Sequence, residues 1–466
     1  MDNEDQILKS RDDKAPVRLS KVAEATDKGD SFVLADESGC SWLKRNEPVG
    51  PETLRPRIEP WLTALFQSEH LALLVGSGFS HAVHRLATGN GLSVMAPSKL
   101  NHFHDEITTA AKRSAIAAGR QDGNIEDQLR VGNELLRGLE ILGGADETLQ
   151  ETTGGLKNDL KGLLENFAAS ILKGENGLIT AKFEDLETAF NYMVSFLISF
   201  ASRTGTRDRL QIFTTNYDRF IEAGSEVAGL HLLDRFVGSL LPIFRSSRLD
   251  VDMHYNPPGI RGEPRYLEGV AKFTKLHGSV DWVESNKTIR RVGLPFGATE
   301  IKPYLHAPGL PGVEALQLMV YPNSAKDRET AAYPYVELFR DFAAAVCRPN
   351  NTLICFGYSF GDEHINRVIE DMLTIPSCHL VVISYSDPLG RIMRIYESMG
   401  RHAQTTLMLG NHLGDFKTLV DNYLPKPAID RTTFRMAELL KARWTSGHAE
   451  TPAVAGATGT PGGGDV

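Results

Sequence analysis

The sequence predicts an α/β fold: an open parallel sheet with helices on both faces and a large inserted helical subdomain. Three observations predict it. Five short apolar runs each stop at a loop of small, polar or ring-bearing residues. Stretches with apolar residues at helical spacing lie between those runs. One connection, about 105–203, is far longer than a usual strand-to-strand crossover, and so reads as an insertion. In such sheets ligands bind beyond the carboxyl ends of the strands. Five chemically rich loops in that position point to a nucleotide site.

Residues 1–50 are polar and charge-mixed with little periodicity, and read as a flexible or loosely docked arm. Leu54, Ile58, Leu62 and Leu65 then mark one face of a helix over Pro51 to Gln67. The first strand, Leu71 to Val75, runs into Gly76-Ser77-Gly78-Phe79-Ser80. The helical insertion follows, and its place beside a strand-end loop suits a lid. The second strand, Leu210 to Phe213, leads to Thr214-Thr215-Asn216-Tyr217-Asp218 and a short helix from Arg219. Residues 229–270 are turn-rich and read as an irregular insertion.

The third strand, Phe273 to Leu276, enters His277-Gly278-Ser279. An amphipathic helix over Tyr333 to Cys347 precedes the fourth strand, Leu353 to Phe356, which runs into Gly357-Tyr358-Ser359-Phe360-Gly361 and a helix from about Asp362 to Leu373. Leu380 to Ile383, before Ser384-Tyr385-Ser386, is the fifth strand, and Thr405 to Leu409 reads as a sixth. Helices over Phe416 to Tyr423 and Thr433 to Ala442 close a domain spanning 51–440. The Gly-, Ala-, Thr- and Pro-rich residues 441–466 read as a disordered tail.

The bulk numbers narrow the chemistry. With 466 residues, 41% hydrophobic and 23% charged, the chain suits a soluble globular protein. A net charge of −9 argues against a surface built to grip nucleic acid, and no direct nucleic-acid binding is expected. Cys40, Cys347, Cys355 and Cys378 are scattered with no CxxC pair, so neither a zinc site nor a disulfide framework is expected, in keeping with a reducing cytoplasm. No membrane span is expected, because the longest apolar stretch, around Tyr192 to Ala201, is about half the roughly 20 residues required.

Each loop has a functional and a structural reading. The glycines of Gly76 to Ser80 either let backbone amides approach a pyrophosphate at a helix N-terminus or form a tight turn with Ser80 as helix cap. Asn216 and Asp218 either cap the helix at Arg219 or serve a site in which Asn216 holds a ribose hydroxyl or a water without titrating. His277 ends a strand beside Asn216, and its ordinary pKa suits a base at neutral pH. Gly357 offers backbone access and Ser359 a hydroxyl to a phosphate or ribose, while Asp362 reads as a helix N-cap. Asp362, Glu363 and His364 do not converge on one metal ion, so no metal site is expected.

Taken in order, GSGFS, TTNYD, KLHGS and GYSFGDEHIN resemble the sirtuin superfamily and, more closely, its bacterial sirtuin-like NADase branch used in anti-phage defence. The layout over about 51–425 looks most like the NADase subunit that works with a HerA-type ATPase. The resemblance implies the Rossmann-like parallel sheet of the sirtuin fold, with NAD as substrate. Gly76, Ser77, Gly78, Ser80, Thr215, Gly357, Ser359 and Ser384 would contact NAD. Asn216 and His277 would carry the chemistry, and Asp218 would assist at the nicotinamide end. It also implies a homo-oligomer joined to a HerA-like ATPase.

Two departures separate the chain from protein-deacylating sirtuins. It lacks their four-cysteine zinc module, and Gly91 to Lys99 stands where they carry Pro-Asp-Phe-Arg. Cleavage of NAD to nicotinamide and ADP-ribose is therefore expected over deacylation or ADP-ribosyl transfer. A non-catalytic module that senses NAD or ADP-ribose is the reading from another class.

Overall fold

Six apolar segments are buried along nearly their whole length because helices cover both faces of the sheet they form. The computed structural model describes residues 5–22, 30–35, 39–92, 97–117, 120–143, 146–202, 207–250, 252–255, 265–267, 269–307, 310, 318 and 333–426. The chain divides after Pro425, and all that follows concerns the unit before that point. The closing helix expected over Thr433 to Ala442 and the tail 441–466 lie outside the described residues.

The strands are β1 (Gln6–Lys9), β2 (Val17–Lys21), β3 (Phe32–Leu34), β4 (His70–Val75), β5 (Leu210–Thr214), β6 (His231–Leu233), β7 (Phe236–Val237), β8 (Ile243–Phe244), β9 (His254–Tyr255), β10 (Arg265–Tyr266), β11 (Val270–Lys275), β12 (Trp282–Ser285), β13 (Thr288–Arg291), β14 (Asn351–Phe356), β15 (His379–Ser384) and β16 (Thr405–Leu409). Among the described residues the main sheet runs β3-β2-β1-β16-β15-β14-β4-β5-β11-β6. From β16 to β6 every neighbouring pair is parallel. The sheet is thus the parallel, Rossmann-like one expected. The chain fills one side of β4 with β5, β6 and β11, then returns to fill the other with β14, β15 and β16. The order reverses between β4 and β14, and such switch points are where open α/β sheets bind ligands.

The α-helices up to residue 400 are, among the described residues, α1 (Pro51–Phe66), α2 (Ser77–Thr88), α3 (His104–Ala117), α4 (Ile125–Leu142), α5 (Glu147–Ile179), α6 (Phe183–Ala201), α7 (Phe220–Val227), α8 (Lys302–Leu305), α9 (Tyr335–Val346), α10 (Glu363–Leu373) and α11 (Arg391–Met399). One face of the sheet is covered by α1, α2 and α6, where Phe79, Phe196 and Phe356 pack with Phe416. The other face carries α9, α10 and α11 around Phe342, Ile369 and Ile392. A third core joins α4 and α5, through Leu129, Leu160 and Phe167, to Tyr217, Val280 and Leu294 of the sheet-side loops.

Three sequence expectations need correction. The supposed arm 1–50 contributes β1, β2 and β3, which extend the sheet antiparallel to β16. It was illegible because two residues of fully buried β1 are polar. Lys9 is 2% exposed and donates to the backbone oxygens of Thr405 (2.9 Å) and His402, while buried Gln6 accepts the amides of His412 (3.0 Å) and Leu413 (3.1 Å). The helical insertion also ends earlier than 203, since Met193, Phe196 and Phe200 of α6 belong to the main core and leave α3, α4 and α5 as the insertion proper. Finally, 229–270 is not wholly irregular: β6 closes one edge of the main sheet, and β7 and β8 pair in a small sheet with β12 and β13. Residues 256–264 of that stretch lie outside the described residues.

Candidate active site

The functional loops leave the sheet at one level. Val75 of β4 pairs with Thr214 and Phe356, Thr214 with Lys275, and Phe356 with Ile383. Asn216 and His277 therefore sit two residues beyond paired positions of adjacent parallel strands, and the register brings them to the same place at the carboxyl ends.

The two glycine loops lock into each other. A Cβ on Gly76 would lie 2.4 Å from the backbone oxygen of Gly357, and one on Gly78 2.7 Å from the Cα of Gly357, which itself has φ +62°. The Gly78 amide donates to Gly357 O at 3.0 Å and the Gly76 amide to Phe356 O at 2.9 Å. These glycines thus join two backbones at the switch point, and the amides of Gly76 and Gly78 are spent inside the protein. Ser77 is exposed, and Thr215 and Ser359 are half-buried, so those three side chains remain at the surface. Ser384 is 7% exposed and donates to Ser386 O at 2.7 Å.

Ser80 is neither a cap nor a surface residue. The helix already begins at Ser77, and Ser80, at 1% exposure, sits beneath the loop. Asn216 Nδ2 donates to Ser80 Oγ at 2.9 Å and to Gly76 O at 3.0 Å. Both amide protons of Asn216 are committed to holding the glycine loop, while among the described residues its Oδ1 carries no hydrogen bond. The remaining capacity of Asn216 is that of an uncharged acceptor.

Asp218 accepts the Phe220 amide at 3.3 Å, at the start of α7. Burial pushes its carboxyl above the ordinary range, while the Lys275 charge and the bond with Ser80 pull the other way. Lys275, 2% exposed, donates to Asp218 O and to Glu222 Oε1 (2.9 Å). Glu222 is raised by burial too, against the same lysine.

His277 is held from the far side. Its Nε2 stands 3.0 Å from Asp362 Oδ2, and Asp362 Oδ1 caps α10 by accepting the amides of His364 (2.9 Å) and Ile365 (3.4 Å). The turn that carries Asp362 is fixed by Tyr358, whose hydroxyl donates to Asp362 O (3.2 Å) and Asn366 Oδ1 (3.0 Å). Tyr217 and Phe339 flank the imidazole with ring centroids 6.2 and 6.5 Å away. The sequence reading identified Asp362 as a cap but missed its second role, because β11 and β14 are separated in the sheet by β4 and β5. Strand order alone brings the two loops together.

The helical insertion reaches this same spot. Tyr217, 4% exposed, donates its hydroxyl to Glu126 Oε1 at 3.2 Å, in the first turn of α4. Burial, then the Glu126 charge, raises the phenol far above its ordinary value. Arg219 and Glu175 of α5 form a buried bidentate pair, with Arg219 Nε and its backbone amide both on Glu175 Oε1 at 3.1 and 2.9 Å. Among the described residues no group of three or more His, Cys, Asp or Glu side chains is arranged to hold a metal ion, and no helix is long and apolar enough to cross a membrane.

Residues 210–401 match the family described as SIR2-like domain. The span starts at β5, ends just beyond α11, and contains Asn216, His277, Ser359 and Asp362. This SIR2-like domain supports a sirtuin-like protein with an NAD-related function. No curated protein matches the chain.

Proposed function

We propose that the chain is an NAD glycohydrolase, cleaving NAD with water to nicotinamide and ADP-ribose. The observation that carries the reading is the pairing of Asn216 and His277 at equivalent positions beyond adjacent strands β5 and β11, within a SIR2-like domain. In the reaction the bond between the anomeric carbon and nicotinamide breaks, its electron pair leaves with nicotinamide, and water oxygen bonds to the sugar carbon. Asn216 Oδ1, an acceptor not used within the described residues, orients the water or a ribose hydroxyl. His277, fixed by Asp362, takes the proton released, directly or through the ribose. Asp218 supports Asn216 through Ser80. The surface hydroxyls of Ser77, Thr215 and Ser359 line the region where the nucleotide would lie.

The helical insertion favours hydrolysis over acyl-lysine chemistry. Its Glu126 accepts the Tyr217 hydroxyl and the Tyr217 ring flanks His277, so the insertion stands beside the proposed base, an arrangement that suits a small reactant such as water. Unrestrained NAD loss harms the cell that makes the enzyme, so a regulated state is part of the proposal. That state is a homo-oligomer bound to a HerA-like ATPase and acting in anti-phage defence, as the sequence resemblance implies.

Chromatographic measurement of nicotinamide release tests the activity, with and without the co-expressed ATPase. Parent protein should release nicotinamide, and Asn216→Ala and His277→Ala proteins should not. Equal release by all three would sink the assignment. Native mass measurement of the co-expressed proteins tests the assembly, and a sole monomeric species would remove that part of the proposal.

A further inference from the structure

The segment from Asn216 to Arg219 faces two ways. Asn216 turns its amide to Gly76 O and Ser80 Oγ, on the side of the glycine loop. Tyr217 and Arg219, alternate residues of the same segment, turn to the helical insertion and meet carboxylates of two different helices, Glu126 of α4 and Glu175 of α5. The residues proposed to carry the chemistry are thus held from the sheet on one side and from the insertion on the other.

Tyr217 makes contacts in three directions. Its hydroxyl donates to Glu126 Oε1 at 3.2 Å, and its ring stands edge-on to Phe167 of α5 with centroids 5.5 Å apart. The same ring flanks the His277 imidazole at 6.2 Å. Its backbone oxygen accepts the Val280 amide at 3.0 Å and the Ser279 hydroxyl at 3.3 Å, so the loop that carries His277 also hangs from the Tyr217 main chain. Glu126 lies inside the capping box that starts α4, in which Asn124 Oδ1 accepts the Asp127 amide and Asp127 Oδ2 the Asn124 amide, both at 3.0 Å. Packing alone would be served by phenylalanine. The buried hydroxyl adds a directional tie to α4, so the insertion fixes where the ring lies, and the ring in turn borders the imidazole.

We propose that Tyr217 is a positioning residue through which the helical insertion sets the orientation of His277. The inference rests on the NAD glycohydrolase reading and adds a means of regulating that same site. A shift of α4 moves the Tyr217 ring, loosens the imidazole from its productive pose and lowers turnover, with every group that touches the substrate still present.

Steady-state nicotinamide release by the full chain tests the role. Tyr217→Phe keeps the ring and Glu126→Ala keeps the tyrosine, and each should lower kcat roughly tenfold with KM little changed, as a small misplacement of a reacting group does. The double variant should be no worse than either single one, because both cut the same bond. Glu126→Gln, which still offers an oxygen to the phenol, should recover most of the activity. A second readout is independent of turnover. In nuclear magnetic resonance spectra of histidine-labelled protein, the ring signals of His277, identified by their loss in His277→Ala, should shift in Tyr217→Phe and Glu126→Ala and return in Glu126→Gln. If the first two substitutions leave both kcat and the His277 signals as in the parent, the positioning role is overturned while the proposed function stands. A rise in KM at unchanged kcat, or a kcat loss that merely tracks a lower melting temperature, overturns it as well. If the parent protein releases no nicotinamide, the functional reading fails, and the His277 signals by themselves decide whether Tyr217 sets the imidazole.

Discussion

His277 Nε2 and Asp362 Oδ2 stand 3.0 Å apart, and the second oxygen of the same carboxylate caps a helix. One side chain thus ties the imidazole to the rigid start of α10. The carboxylate also fixes which ring nitrogen carries the proton, as an acid partner of a catalytic imidazole does.

Replacing Asp362 by Asn separates its two tasks. The amide oxygen can still cap α10, so melting temperature should stay close to the parent's. It cannot stabilise a protonated imidazole, so kcat for nicotinamide release should fall about 100-fold or more, with KM little changed. Asp362→Ala should lose the same activity and also about 1 kcal/mol of stability through the cap. Steady-state kinetics beside thermal melts check both. A kcat loss in Asp362→Asn that merely tracks lost folding would argue against the positioning role.

Asn216 should prove costly to stability as well as to activity. Its amide group holds Gly76 O and Ser80 Oγ, both buried, and truncation leaves them short of a donor. The expected cost for Asn216→Ala is about 1–3 kcal/mol in urea unfolding. Asn216→Ser, which keeps one donor, should be milder in stability but equally inactive, because the acceptor Oδ1 is gone. An active Asn216→Ser protein would show that the oxygen has no part in the reaction.

The ion pair of Glu175 and Arg219 ties α5 of the insertion to the loop that follows β5. Glu175 is wholly buried, and burial pushes its carboxyl up against the pull of Arg219. Removing one partner leaves the other charged and unpaired in the interior, so Glu175→Ala should destabilise by about 3–5 kcal/mol. Because Arg219 opens the helix after Asn216 and Asp218, protease sensitivity in α4 and α5 should rise together with KM. Replacing both residues by apolar ones should restore much of the stability and not the KM. A double variant that recovers both would mean the pair only supports packing.

Much of this fold was legible because parallel strands buried on both faces appear as short runs rich in apolar residues, most plainly in β4, β14 and β15. The strand-end placement of Asn216 and His277 was legible, because each follows a short buried run by a fixed few residues. What escaped depends on strand order. The joint between Gly76, Gly78 and Gly357 and the bond from His277 to Asp362 each connect segments that only the sheet topology makes neighbours. The N-terminal strands escaped for another reason: Gln6 and Lys9 satisfy buried hydrogen bonds that apolar residues cannot, so polarity there marks burial and not solvent.

Away from the site, His379 should make the protein acid-sensitive. It lies at the start of β15, bonded to Thr406 Oγ1 at 2.8 Å with the Trp61 ring edge-on at 5.6 Å. Burial, and secondarily the Lys9 charge, lowers its pKa to about 4. The folded chain therefore keeps the ring neutral where the unfolded chain, with a pKa near the ordinary ~6.5, takes up a proton. Its stabilising contribution is complete above about pH 6.5 and is lost as the pH falls toward about 4, a change on the order of 3 kcal/mol. Other groups titrate in the same window, so the useful quantity is the difference between parent and His379→Asn in urea unfolding across it. That difference should shrink steadily from pH 7 to pH 4, with the variant the less pH-dependent of the two. A difference that stays constant with pH would show that His379 binds its proton equally in the folded and unfolded chains.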